Sequence, residues 1–374
     1  MQRRGLHLVG RNTMSDSFRS MLTQMDNLGA TDLYLSADQT PVYRINGKLS
    51  GLGGNKLNGE NLKLLAFGIM NNTQTQQYEQ ELEVNMSYEV SRIGRFRVSL
   101  FSQKQQPALV IRRIPHEIPK PSDLGIPQQV LETIHLRRGL ILITGPSGAG
   151  KSTSFSSMLQ DRSEFESSHI ITFEDPIEYV LQHKQSVVNQ REIGVDTKSK
   201  HQAMENALRQ TPDVIGIGEI RSLDSLEQAI SFADSGHLCI ATIHANNASQ
   251  TIERILNMFP KEKSEQILLS LSLHLNAIMA QQLVPNKNGQ LVAAFEVLLN
   301  TPRMSDLIRN GNIQEMTEHV ERESNSGMQS MDQSLYELYR NGTISAETAL
   351  EYANSYRNMR LKMRLSAVDT ASAQ

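Results

Sequence analysis

The sequence predicts an α/β protein: a core built on a parallel sheet, preceded by a smaller α+β domain and followed by a helical region. Three observations lead there. Between about residues 128 and 300, short apolar runs take turns with helix-compatible segments, the rhythm of strand–helix–strand units. Over about residues 1–114, several runs alternate apolar and polar side chains around turn signals, as half-buried strands do. Third, "LILITGPSGAGKSTS", Leu140 to Ser154, fits G-x-x-x-x-G-K-[ST] from Gly145 to Ser152, a pattern that wraps backbone N–H groups around nucleotide phosphates.

Taken in order, Met14 to Asn27 reads as an amphipathic helix, and "DLYLSADQTPVYRINGKL" as strands broken by turns. A helical stretch spans about Asn61 to Gln80, and "GRFRVSLFSQ" and "ALVIRRIP" alternate like paired strands. Pro115, Pro119, Pro121 and Pro127 follow closely; they disfavour helix and remove backbone donors, so 115–127 reads as an extended linker. The core domain, 128–300, begins with the strand "GLILITG", the helix Ser152 to Gln160 and the strand "HIITFED". Then come a helix from Lys198 to Arg209, the strand "DVIGIGE", a helix from Leu223 to Asp234 stopped by Gly236, and the strand "LCIATIHA". Residues 301–365 turn helical, and 366–374, "SAVDTASAQ", reads as a frayed tail.

Composition narrows the function. The chain has 374 residues, enough for two or three domains. It is 39% hydrophobic with no Trp, so its cores are ordinary rather than aromatic-rich. A net charge of −3 gives no global field to recruit DNA or RNA, although a local patch is compatible with it. The single cysteine, Cys239, lies in the apolar run "HLCIATI" and reads as a buried structural thiol in a reduced, cytosolic protein. No apolar run approaches the ~20 residues of a membrane helix, and "MQRRGLHLVGRNT" is too short and broken for a signal peptide. Any meeting with a membrane is expected to run through a partner.

The loop carries the strongest chemistry: a chance match in a chain of this length has odds of roughly one in a hundred. Gly145, Pro146, Ser147, Gly148, Ala149, Gly150, Lys151, Ser152 and Thr153 form the phosphate cradle, with Lys151 reaching the β- and γ-phosphates of ATP and Ser152 ligating Mg²⁺. In "ITFEDPIEYV", Glu174, Asp175 and Glu178 follow a core strand and point towards that site. Hydrolysis needs a group to orient water and others to hold the metal; the competing assignment is a polar loop capping a turn at Pro176. In "DVIGIGEI" the strand delivers Glu219 beside the Mg²⁺, although many P-loop enzymes end this strand with Asp where Gly218 stands here. His237 and His244 flank the strand "LCIATI" and can sense a γ-phosphate or serve as hydrogen-bonded structural residues. No metal-ligand spacing accompanies them. Arg95 and Arg97, two apart on a strand, share a face; with Arg112 they could reach a neighbour's triphosphate as arginine fingers do or simply stay solvated. "YRNMRLKMRL", Tyr356 to Leu365, carries four cations and reads first as a solvated helix face.

"GPSGAGKST", "EDPIE", "GIGEIR" and "GHLCIATIHA" occur in that order in one α/β domain. The set resembles the Walker A, Asp box, Walker B and His box of the secretion-superfamily ATPases. Within them the chain looks most like the type IV pilus retraction ATPases of the PilT/PilU family. "TDLYLSADQTPVYRINGKL" and "RFRVSLFSQ" resemble its N-terminal signatures, and "HANNASQTIERILNMFP" and "GMQSMDQSLYELYRNGTIS" its PilU branch. "RMSDLIRNG" only partly matches the motif that follows the core in PilT-like proteins, which favours the same branch; the loop also departs from the family's usual Thr and Ser at Ser147 and Ala149.

The resemblance implies a PAS-like N-terminal domain linked to a RecA-like core and a homo-hexamer with ATP between subunits. It makes Glu178 the general base, Glu219 the Walker B carboxylate, His237 and His244 the His box, and Arg95, Arg97, Arg112 and Arg254 candidate sensors or fingers. It also implies a PilT-like partner ATPase and an inner-membrane platform protein as partners, with no nucleic acid and no direct membrane insertion. The nearest rival is a motor of pilus extension or type II secretion, which commonly carries a Cys-rich zinc insertion and a longer front end; one cysteine argues against it. A nucleic-acid translocase would want a basic, aromatic-bearing surface, and a ring subunit that only binds ATP would not need the full acid set.

Overall fold

A computed structural model describes residues 17–372 except 46, 92, 116 and 324–326, with the backbone alone over 366–372. The chain divides into two compact units, Met1–Glu117 and Ile118–Gln374.

The first unit begins with helix α1, residues 17–27; the start of that helix expected at Met14 lies outside the described residues. Strands β1 (Asp32–Leu35), β2 (Val42–Ile45) and β3 (Lys48–Gly51) follow, then helices α2 (Gly59–Ile69) and α3 (Asn72–Glu81). Strands β4 (Glu83–Val90), β5 (Gly94–Gln103) and β6 (Gln106–Ile114) complete an antiparallel sheet in the order β3-β2-β1-β6-β5-β4. The single helix expected over 61–80 is two. Asn71 accepts from the Gln74 N–H at 2.9 Å and the Gln74 side chain accepts from the Asn71 N–H at 2.9 Å, a reciprocal cap that restarts the chain. Strand β4 was not expected, yet Val84, Met86 and Val90 alternate inward along it. Phe18, Leu22 and Met25 of α1 and Leu62 and Leu65 of α2 pack with Phe96, Val98 and Leu100 of β5.

In the second unit the expected linker is partly structured. Pro121–Leu124 form a short helix α4, and Ile118, Leu124 and Ile126 pack on the core. Proline is at home in a first helical turn, where its missing N–H has no partner to lose. Helix α5 (Gln128–Thr133) leads to a seven-stranded sheet in the order β13-β12-β7-β11-β10-β8-β9. Its strands are β7 (Gly139–Thr144), β8 (His169–Glu174), β9 (Val187–Glu192), β10 (Val214–Ile220), β11 (Leu238–Ile243), β12 (Leu275–Pro285) and β13 (Leu291–Leu299). All neighbours pair in parallel except β12 with β13. Every residue of β7 and β11 is buried, as central parallel strands covered on both faces must be.

Helices α6 (Lys151–Phe165), α7 (Lys200–Glu205) and α8 (Leu223–Asp234) connect these strands, and α9 (Ala248–Met258) and α10 (Ser264–His274) lead into β12. The helical region after β13 holds α11 (Pro302–Arg309), α12 (Ile313–Arg322), α13 (Met331–Arg340), α14 (Ala346–Tyr352) and α15 (Tyr356–Ser372). Met304, Leu307, Ile308 and Met316 join the same core as the sheet. Helix α15 runs through the segment expected to fray: "SAVDTAS" contains no Gly or Pro and two Ala, the best helix former.

Candidate nucleotide-hydrolysing site

The loop leaves β7 at the carboxyl edge of the sheet, where ligands of open α/β sheets bind. Gly145, Gly148 and Gly150 have φ of 151°, 77° and 86°, values that side chains rarely tolerate. Two of them also lack room. A Cβ on Gly145 would come within 2.4 Å of the Gln281 carbonyl oxygen, and one on Gly150 within 2.8 Å of Gln281 Nε2. Gln281 further accepts from Ser154 Oγ at 2.8 Å, so β12 backs the loop. Pro146, Ser147 and Gly148 stand exposed at the tip, Ala149 is buried beneath it, and Ser152 and Thr153 are half-buried in the first turn of α6.

Lys151, 8% exposed, opens α6. Its Nζ donates to the carbonyls of Gly145 at 2.9 Å and Pro146 at 2.8 Å and lies 3.3 Å from His244 Nδ1. Burial pulls its pKa down, and the charges of Glu219 and Glu178 oppose that shift. His244 follows β11, whose Ile243 pairs with Thr144 of β7, and its Nε2 contacts the Glu219 carboxylate. Its Nδ1 thus faces the ammonium and its Nε2 the carboxylate. A continuous polar chain thus runs Lys151–His244–Glu219.

Glu219 owes its position to a break in β10. Pairing with β11 shifts register between Ile217 and Ile220. Gly218 fits there because a Cβ would meet Glu174 Cγ at 3.2 Å and Glu174 Cα at 3.3 Å. The carboxylate at the end of the strand therefore sits one residue on. Arg221 Nε pairs with it at 2.5 Å, and Lys200 Nζ donates to the Glu219 carbonyl at 2.6 Å. Lys200 is held below its ordinary pKa by burial first and by the Arg221 charge second.

The three acids of the loop after β8 differ in setting. Glu174 is 5% exposed; it accepts from Thr172 Oγ1 at 2.6 Å and Gln190 Nε2 at 2.9 Å. Burial pushes its pKa up to about 7, against the lowering effect of those two hydrogen bonds. Asp175 is exposed and 3.6 Å from Arg221. Glu178 is exposed, yet near enough for its charge to act on both Lys151 and Glu174. Between them and the loop, Tyr179 OH lies 3.2 Å from Thr153 Oγ1.

Arg254 reaches the same place from α9. With Gly145, Pro146, His244, Gln250 and Met258 it lines a cleft of about 650 Å³. Helix α9 is fixed at its start by Glu296, which accepts from the Ala248 N–H at 2.8 Å and whose pKa burial raises.

His237 is not brought here. It precedes β11 at the opposite edge of the sheet, where its neighbour Leu238 pairs with Gly139, and its Nδ1 lies 3.1 Å from Ser235 Oγ. Its expected place in this site is corrected accordingly. Arg95, Arg97 and Arg112 belong to the first unit. Arg95 and Arg97 point away from buried Phe96 and Val98, sharing a face. One register row carries Arg44, Asp32, Arg112 and Arg97 side by side. Buried Asp32 holds Arg112 Nε at 2.8 Å and Arg44 Nε at 3.5 Å, whereas Arg97 is exposed. Cys239 is buried, and burial raises its thiol pKa. Among the described residues no cluster of three or more His, Cys, Asp and Glu could hold a metal alone. Mg²⁺ needs no such cage, because it takes one or two protein ligands and completes its shell with phosphate and water.

With this geometry in view, the chain matches the family described as Type II/IV secretion system protein over residues 19–365. The chain belongs to that family. Family members named as ATPases resemble it over most of its length. It is 42% identical to the type IV pilus ATPase PilU of Pseudomonas aeruginosa, covering 95% of this chain and 93% of that one. It is 37% identical to the retraction ATPase PilT of the same organism, covering 87% and 94%. A solved structure of the pilus retraction motor PilT with bound ADP superposes with a TM-score of 0.84 at 40% identity, covering 90% of this chain and 97% of that one. The α/β core, the α+β unit in front of it and the helices behind it are the architecture of this secretion-system family.

Proposed function

We propose that the chain is an ATP-hydrolysing motor that powers or assists type IV pilus retraction. It works as a homo-hexamer at the cytoplasmic face of the inner membrane, alongside a PilT-like ATPase and a pilus platform protein. The Lys151–His244–Glu219 chain at the mouth of the glycine loop carries the hydrolytic part. The pilus part is supported by the similarity to PilU and PilT.

In this reading the loop N–H groups and Lys151 hold the phosphates of ATP, and Ser152 and Glu219 hold Mg²⁺. The ion's chemistry is to neutralise charge that develops on the phosphates. Glu178, exposed and unsealed, orients the attacking water. Glu174, its pKa raised to about 7 by burial, is partly protonated near neutral pH and props the loop through Thr172 and Gln190. His244 relays the state of the loop to Glu219, and Arg254 faces the γ-phosphate. Arg97 acts on a neighbouring subunit's nucleotide, with Arg112 held ready by Asp32 and Arg95 beside it.

The deciding experiment is ATPase activity of the purified protein, alone and mixed with a PilT-like partner, with its mass in solution. Turnover by a six-chain species is expected. A monomer without activity in either condition would overturn the proposal. Glu178→Gln and Arg97→Ala proteins, each nearly inactive, should regain hydrolysis when mixed. No recovery after verified subunit exchange would place Arg97 outside the neighbour's site.

A further inference from the structure

The cationic segment Tyr356–Leu365 takes no part in the nucleotide site, and its geometry is specific. The turn into α15 is pinned: Asp332 on α13 accepts from the N–H groups of Asn354 at 2.6 Å and Ser355 at 3.0 Å. Met359 and Met363, one turn apart, are buried in the cluster that α13 and α14 form. Lys362 Nζ lies 4.3 Å over the Tyr336 ring. One face of the helix is therefore committed to the fold, and the opposite face cannot roll inward.

That opposite face is apolar as well as basic. At about 100° per residue, Leu361 and Leu365 point away from the two methionines; they are 57% and 59% exposed. Arg357 and Arg364 lie beside them on one side, with Arg360 farther round on the same side, all exposed. Among the described residues none of these three arginines forms an ion pair. From Tyr356 to Leu365 there is no acidic residue, in a chain whose net charge is −3.

We infer that this face of α15 lies on an anionic phospholipid surface, bringing the protein to the membrane directly as well as through partners. Leucines that protrude beside a row of cations suit the boundary between headgroups and acyl chains, and headgroups ask only for positive density. A protein groove would draw register from mixed charges, which this face lacks. Nucleic-acid phosphates would use the arginines and leave the leucine pair idle.

The test is co-sedimentation of the full chain with vesicles of phosphatidylcholine alone and with about a third phosphatidylglycerol, at low and high salt. Binding is expected only with the anionic lipid, and less of it in high salt. At about fivefold per cation near such a surface, Arg357→Gln/Arg360→Gln/Arg364→Gln should bind about a hundredfold more weakly with an unchanged unfolding midpoint. Leu361→Ser/Leu365→Ser should lose binding by at least about tenfold. Equal binding to neutral vesicles, no binding to either, or full binding by the arginine variant would overturn the inference. So would a leucine variant that binds normally while duplex DNA competes the vesicles away.

Discussion

His237 and His244 flank the same six-residue strand, and the two ends of that strand have little in common. At one end His244 sits between an ammonium and a carboxylate, beside a glycine loop and an arginine-bearing cleft. At the other, about 20 Å away by the rise of a strand, His237 meets a serine hydroxyl. Residue type is equal and location is everything. In a parallel sheet the carboxyl ends of all strands come out on one side, and it is on that side that open α/β sheets bind ligands. Residues after β7, β8, β10 and β11 meet around the glycine loop; those before them, such as Asp213 and His237, meet at the opposite edge through backbone contacts and without such a loop.

Five substitutions strain that contrast, in falling order of effect. Lys151→Ala should abolish hydrolysis and weaken nucleotide binding, since it deletes the buried charge tied to both loop carbonyls. Near-wild-type turnover of the purified variant would remove the carboxyl edge from consideration altogether. Within that edge, Glu178→Gln should slow steady-state hydrolysis by roughly 10²-fold or more while ATP still binds. Glu174→Gln should do less, and the reverse ranking would move the base to the buried acid.

The histidines test the two ends directly. His244→Ala should cost on the order of tenfold in rate, about the worth of a hydrogen bond to a charged group, and His237→Ala less than about twofold. Equal losses would show that the far end of the strand also serves the chemistry.

The smallest effect is on stability. The Glu174 carboxyl is pushed up from its ordinary 4.5 to about 7 by burial. Below the lower value both folded and unfolded chains hold the proton, and stability is unaffected. As pH rises towards about 7 the unfolded chain ionises and the folded one does not, so stability is lost and then levels off. Glu174→Gln cannot titrate. Its unfolding midpoint should therefore gain on the wild type between about pH 5 and about pH 8. A constant difference across that range would mean that Glu174 ionises freely in the folded protein.

Much of this edge was legible in the sequence. The loop, the strands on either side of it and helix α8 from Leu223 to Asp234 rest on local pattern, Gly punctuation and a Ser222 cap. The rest depends on long-range packing. Gln281 shapes the loop from 127 residues away through Ser154; its only sequence sign is a polar pair inside the apolar strand "LNAIMAQQLV". The pairing of Arg112 with Asp32 joins residues 80 apart. The break at Asn71 was readable as an N-cap, but a run of helix formers on both sides concealed it. His244 follows β11 and His237 precedes it, so the rule that placed the acids after β8 at the site also separates the two histidines once the sheet is read as parallel.

Gly218 has a consequence for how such a site changes over generations. A Cβ at 218 would stand 3.2 Å from Glu174 Cγ and 3.3 Å from both Glu174 Cα and the Phe173 carbonyl oxygen, so moving the carboxylate one step back along β10 requires β8 to yield by a few tenths of an ångström. Asp at 218 would press on the neighbouring strand while Glu219 still held its place. A smaller residue at 174 would relieve only the side-chain part of that crowding, because the other two contacts are to backbone, and it would forfeit the hydrogen bonds to Thr172 and Gln190. The two positions are thus coupled, and the effect of a side chain at 218 is expected to depend on which residue stands at 174. A library randomised at 218 alone should return glycine, and one randomised at 174 and 218 together should return correlated pairs.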